Sequence, residues 1–238
     1  MFENLLNRQA YDANAKTMST EFFRNVYSYM FAALGISGAI AYMCGTPEFV
    51  KDYFFTDGKI TGLFYLVVFA PVGLGLLIQM AYNRLSLPVL LLLFALYSAL
   101  MGLSLSTIFI RYDIASITST FLVTAGAFAG MAILGYTTKT DLTKFGSLLY
   151  MVFIGMFIAT IVNIFMKSDT MDFVVSVLGV FVFTGLTAYQ MQQLKHISND
   201  PNLQGVERNK LALIGGLMLY ILFINLFLSL LRLLGNRD

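Results

Sequence analysis

The sequence predicts an all-α integral membrane protein with seven transmembrane helices. Three observations carry that class. The 238 residues are 58% hydrophobic and only 12% charged, about half the charge fraction that soluble domains use to cover their surface. The apolar runs are long enough to cross a hydrocarbon core, which takes roughly 20 helical residues. They are also apolar all round, whereas an oily soluble bundle would keep a polar face on each helix.

Residues 1–21 read as a polar amino-terminal tail. It carries Arg8 and Lys16 without an apolar run, unlike a signal or transit peptide. Residues 22–238 form the membrane domain. The first span, about Phe23–Met43, has Arg24 as an interfacial anchor and Gly35 and Gly38 as a close-approach face. Thr46–Ile60 reads as a loop, with Pro47, Asp57-Gly58 and an aromatic cluster, Tyr53-Phe54-Phe55, suited to headgroup depth. The second span, about Gly62–Tyr82, contains a kink-forming Pro71 and Gln79. The short turn Asn83–Pro88 makes it an antiparallel neighbour of the third, about Val89–Ile110. The third span's small-residue patch, Tyr97-Ser98-Ala99 with Gly102, suits helix packing. The fourth, about Ala115–Tyr136, has Gly126 and Gly130 spaced for backbone contact. The fifth, about Phe145–Met166, contains Asn163; the sixth and seventh run about Met171–Leu194 and Leu211–Leu234.

Seven spans put Arg8, Lys16, Arg24, Arg84, Lys139, Lys144, Lys195, Arg208 and Lys210 on the amino-terminal side. Lys51, Lys59, Arg111, Lys167, Arg232 and Arg237 fall opposite. Nine against six favours a cytoplasmic amino terminus. If the last segment re-entered instead of spanning, Arg232 and Arg237 would join the majority, so that topology stays open here.

The net charge of +2, without a basic stripe interleaved with exposed aromatics, excludes nucleic acid as a partner. The single Cys44 cannot form an intrachain disulfide or a multi-thiolate metal site. The 13 methionines are scattered, as gap-filling packing rather than a copper site. Asp141, Asp169 and Asp172 lie apart, without the clustered oxygens of a calcium loop. No catalytic triad, paired intramembrane aspartates or phosphate loop is present. The expectation is therefore a protein that is not an enzyme and holds no metal or cofactor.

Four motifs carry a resemblance. They are Leu96-Tyr97-Ser98-Ala99-Leu100-Met101-Gly102, Gly135-Tyr136-Thr137-Thr138-Lys139-Thr140-Asp141-Leu142, Gly185-Leu186-Thr187-Ala188-Tyr189, and Phe223-Ile224-Asn225-Leu226-Phe227 followed by Leu230-Leu231-Arg232 and Gly235. Together they resemble the Bax inhibitor-1 (transmembrane Bax inhibitor motif) family, in particular its bacterial branch. The resemblance implies two three-helix layers enclosing a central seventh helix. It implies calcium leak gated by pH, a stress or cell-death role, and, through a bacterial relative, restraint of a membrane-bound AAA protease. It implies a bacterial inner membrane location. It also implies a gating pair of aspartates on the sixth and seventh helices, with an arginine latch near the end of the second. Carried onto this chain, the aspartate positions are Gln190 and Leu222, and the arginine is Arg84.

Both acids are thus replaced. Two facing carboxylates in a low-dielectric site share a proton, which makes a pH switch and a hard-oxygen cation site at once. Gln190 never titrates and Leu222 offers no polar atom. On insertion scales the leucine enters a bilayer roughly 3 kcal/mol more easily than an aspartate. The interiors of all seven predicted spans lack Asp, Glu, Lys and Arg.

Polar groups remain. Met218, Leu222, Asn225 and Arg232 share an arc of about 100° on the seventh helix, and Gln190 shares a face of the sixth with Thr187 and Gln193. Either Gln190, Asn225 and Asn163 form an uncharged cluster where the family has its acids, or the amides are ordinary interhelical glue. Arg84 either closes the site by donating to the sixth helix or snorkels to the interface. His196, the sole histidine, is either a substitute pH sensor or a solvated loop residue.

Overall fold

A backbone inside a bilayer has no water to bond, so every long apolar run closes its hydrogen bonds within itself and becomes a helix. The structure, a computed structural model, describes residues 2–56 and 59–236, with side chains from residue 17 onward except at Thr56. Its helices are α1 (Phe2–Cys44), α2 (Pro47–Phe54), α3 (Gly62–Ala81), α4 (Leu87–Leu105), α5 (Ile108–Arg111), α6 (Ile114–Thr137), α7 (Thr143–Met166), α8 (Asp169–Ser198) and α9 (Gly205–Leu234). Seven stretches among the described residues are long and apolar enough to cross a membrane. They are Thr17–Cys44 of α1, α3, Leu87–Arg111, α6, α7, α8 and α9.

Local chemistry sets the ends. Thr61, Asp113 and Ser168 cap α3, α6 and α8, each accepting a backbone N–H of the first turn. Helix α7 ends at Lys167, which takes a left-handed conformation with φ 52°. The Asn163 side chain accepts from Ser168 N at 2.9 Å and closes that turn.

Two segments differ from the expectation. The loop over 46–60 contains α2, started by Pro47 behind a Thr46 cap, and a short antiparallel hairpin of β1 (Phe55–Thr56) and β2 (Lys59–Ile60). The expected Asp57-Gly58 turn lies outside the described residues. Of its aromatic cluster, Tyr53 and Phe55 are exposed, while Phe54 is buried with Val50 and Val67. The third span is interrupted at Ser106 and Thr107. Their hydroxyls donate to Leu103 O (2.7 Å) and Ser104 O (3.0 Å), competing with the helical ladder.

The bundle is two three-helix layers about a centre. Helices α1, α3 and α4 form one layer, α6, α7 and α8 the other, and α9 lies between them in contact with α8, α1, α6 and α4. Helix α9 is the most buried span, α7 the least. Gly235 packs against Tyr112, and Asn236 N donates to Ser116 Oγ at 3.1 Å. The end of α9 therefore lies beside the start of α6, across the bundle from its own beginning. Helix α9 thus runs the length of the bundle, and with 30 residues it is long enough to span.

The glycines that bring backbones together are not the expected pairs. Nothing lies within 4 Å of where a Cβ would stand on Gly35, Gly38, Gly126 or Gly130. Instead a Cβ on Gly135 would strike the backbone of Ala188, and one on Gly102 would come 2.7 Å from Ser37 O. Those two positions seat α6 on α8 and α4 on α1, as the small-residue patch ending at Gly102 led us to expect. Arg24 is exposed and paired with Glu21 at 3.2 Å.

Candidate functional site at the contact of α8 and α9

Helices α8 and α9 run antiparallel, and two close approaches fix their register. A Cβ on Gly179 would meet the Ser229 hydroxyl, and one on Gly215 would lie 2.5 Å from Leu194 Cδ2. At 1.5 Å per residue this places Thr187 level with Leu222, and Gln190 about one turn nearer the end of α8. Leu222 is buried, Thr187 fully so, and Gln190 half-buried. Gln190 lies on the helical face it shares with Thr187 and Leu194, the face that meets α9.

The remaining polar side chains do not join into one cluster. Thr187 Oγ1 donates to Phe183 O at 2.7 Å, and Asn225 Nδ2 donates to Ile221 O at 2.8 Å, each within its own helix. Asn163 is committed to the turn between α7 and α8. Gln193 is half-buried, one turn beyond Gln190. The picture is a leucine-centred helix contact, with Thr187 and Asn225 bonded to i−4 carbonyls of their own helices, which lie closer than any neighbouring helix, and Asn163 bonded within its turn.

Arg84 sits in the turn after α3, where its backbone N donates to Ala81 O at 2.9 Å. Its side chain is exposed and makes no ion pair or hydrogen bond among the described residues. Helix α3 packs chiefly on α4 and α2, so it does not carry Arg84 onto α8. His196 is exposed near the end of α8.

The side chain that does connect elements here is Gln192, which the sequence reading passed over. Gln192 is buried; its Oε1 accepts from Leu142 N and its Nε2 donates to Thr140 O, both at 2.8 Å. One amide thus clamps the α6–α7 loop onto α8. The signal was present as the run Gln190-Met191-Gln192-Gln193, where helical phase turns Gln192 well away from Gln190. Its partner, a backbone fifty residues earlier, has no local signature. Beside it, Lys195 Nζ donates to Tyr136 O at 2.7 Å. Arg208 was likewise missed as more than a topology marker. It is buried, its guanidinium lies 5.5 Å from the Phe22 ring centre, and it donates to Ser198 O and Leu203 O.

The loop has one perturbed acid. Hydrogen bonds from Thr143, from its side chain and its backbone N–H, hold the Asp141 carboxyl below the usual carboxylate range, with His196 and Lys144 adding positive charge. At the opposite end of the bundle Asp172 meets Arg232 at 3.5 Å. Among the described residues no three His, Cys, Asp or Glu side chains converge as a metal site would require.

The family model described as "Inhibitor of apoptosis-promoting Bax1" matches residues 19–238 of this chain. The chain belongs to the Bax inhibitor-1 family. Among similar proteins is the "Inner membrane protein YbhL" of Escherichia coli, 41% identical over 218 residues that cover 91% of this chain and 92% of the relative. An uncharacterized protein of Borreliella burgdorferi is 41% identical, covering 92% and 94%. One of Caulobacter vibrioides is 40% identical, covering 92% and 90%. Membership of the Bax inhibitor-1 family therefore extends over all seven spans and agrees with the layered arrangement about α9.

Proposed function

We propose that this chain is a Bax inhibitor-1-like protein of the bacterial inner membrane that leaks calcium weakly and lacks proton gating at the family's position. The observation that carries this reading is the α8–α9 contact itself. Gln190 and Leu222 stand where the resemblance puts the acid pair, and neither takes up or releases a proton. Leu222 is packed into the contact, and Arg84 has no carboxylate to latch. The inner membrane location is supported by the name of the Escherichia coli relative, and a cytoplasmic amino terminus by the Lys and Arg distribution. The reading involves no catalysis and no resident cofactor; calcium would be cargo.

The test is calcium flux into liposomes bearing the purified protein, compared with the double variant Gln190→Asp, Leu222→Asp at acidic and neutral pH. Weak, pH-independent flux in the native chain and pH-dependent flux in the variant are expected. Strong pH-gated flux in the native chain would sink the proposal.

A second reading is a non-transporting protein that modulates a membrane-bound AAA protease or a stress or cell-death response. It is favoured by α7, which packs chiefly on α8 and turns Phe157, Ile158 and Phe165 outward. Native chains that carry no calcium, and that crosslink stoichiometrically to a protease through α7, would establish this reading in place of the first.

A further inference from the structure

Helices α1 and α6 both approach α8 near its carboxyl-terminal end; their backbones stand apart there, bridged by the edge-to-face rings of Phe23 and Tyr136 (5.3 Å between centres), and leave a cavity of about 350 Å³. Phe23 and Tyr27 of α1 form one wall and Ile133 and Tyr136 of α6 the other, over a floor of Ala132 and Met191. Ala132 and Met191 are buried, whereas Ile133 and Tyr136 are exposed, so the cavity opens sideways past α6. The Tyr27 hydroxyl donates weakly to the Met191 sulfur, 3.8 Å away, and borders the floor.

Depth is fixed by the helix ends. Tyr136 is one residue from the end of α6, and Ser19, which also lines the cavity, bonds Ser198 at the end of α8 at 3.0 Å. The mouth therefore lies where hydrocarbon gives way to headgroups, the level at which tyrosine and lysine anchor membrane proteins. Lys195 does not line the cavity but sits against Tyr136, which does. Its ammonium is 5.1 Å from the centre of the Tyr136 ring and spends one of three donors on Tyr136 O. No carboxylate among the described residues lies within ion-pair distance of it.

We propose that this cavity is a phospholipid site, with an acyl chain between α1 and α6 and the phosphate on Lys195. An apolar slot open to the bilayer matches a hydrocarbon chain, and an unpaired ammonium at headgroup depth matches a phosphodiester. Two donors of Lys195 remain for that phosphate, while the Ser19 hydroxyl donates its one proton to Ser198.

The test uses the full chain in nanodiscs containing phosphatidylglycerol with a diazirine in one acyl chain, irradiated and mapped by peptide mass spectrometry. Labelling of residues 19–27 and 132–136 should exceed that of the outer face of α7 by at least about fivefold. Ala132→Leu, which fills the floor, and Lys195→Gln, which removes the charge, should each cut the cavity signal severalfold and leave the α7 background unchanged. Both variants are first checked for a native elution profile, and Lys195→Gln alone decides if Ala132→Leu does not fold. Cavity labelling no higher than that of α7, or unchanged in Lys195→Gln, overturns the site. So does equal labelling by a diazirine diacylglycerol, which carries the chains without the phosphate.

Discussion

Gln192 shows how much a single amide can hold in a bundle this apolar. Its carbonyl and its NH2 each meet a backbone group of the same loop at 2.8 Å, so truncation leaves the half-buried Leu142 N–H and the carbonyl of the exposed Thr140 to water. A lost hydrogen bond of this kind costs about 0.5–1.5 kcal/mol. Gln192→Ala should therefore lower the thermal midpoint in detergent and speed exchange of the Leu142 amide. Gln192→Glu, which still accepts from Leu142 N but cannot donate to Thr140 O when ionised, should fall between. A Leu142 amide equally protected in all three proteins would show that the loop is held by something else. The same residue-scale logic separates Gln192 from Gln190: the buried amide clamps a loop, while the half-buried one lies on the face that meets α9.

For the helices as elements, association in a bilayer depends on how closely backbones approach rather than on apolarity, since lipid is as apolar as leucine. Gly135 and Gly126 lie on the same helix and read alike in the sequence, yet only Gly135 has a backbone against it. Gly135→Ala should force α6 from α8 and cost about 1–3 kcal/mol as an overpacked contact. Gly126→Ala, with nothing within 4 Å, should be neutral or slightly stabilising, because alanine is the better helix former. Unfolding in mild detergent compares the two directly. Equal destabilisation would mean that α6 has a second partner at Gly126.

At the scale of the whole molecule, the pH response is where the absence of acidic residues from the span interiors should show. Asp141 has a depressed folded pKa, so its contribution to stability is present above the unfolded value and is lost as pH falls through the folded one. Between pH 5 and 8 this group leaves stability flat, and any loss begins below about pH 4. Melting in detergent from pH 3 to 8 should show only that acid limb, diminished in Asp141→Asn. An acid limb of equal size in Asp141→Asn would place the pH response elsewhere.

What the sequence by itself determined was the class, the seven spans, the family and the absence of charge from the span interiors. Each follows from the composition of a contiguous run or a local motif, and a bilayer leaves such runs only one regular structure. The tertiary structure decided which small or polar residue in a run matters, because that depends on what stands opposite. It gave the close approach to Gly135 rather than Gly126 and Gly130, made Asn163 a turn residue, and made Gln192 the clamp. It left Arg84 in solvent or headgroups, since α3 leans on α4 and not on α8. Helical phase can say which way a side chain points, but the partner that gives it a role comes from another helix, many residues away.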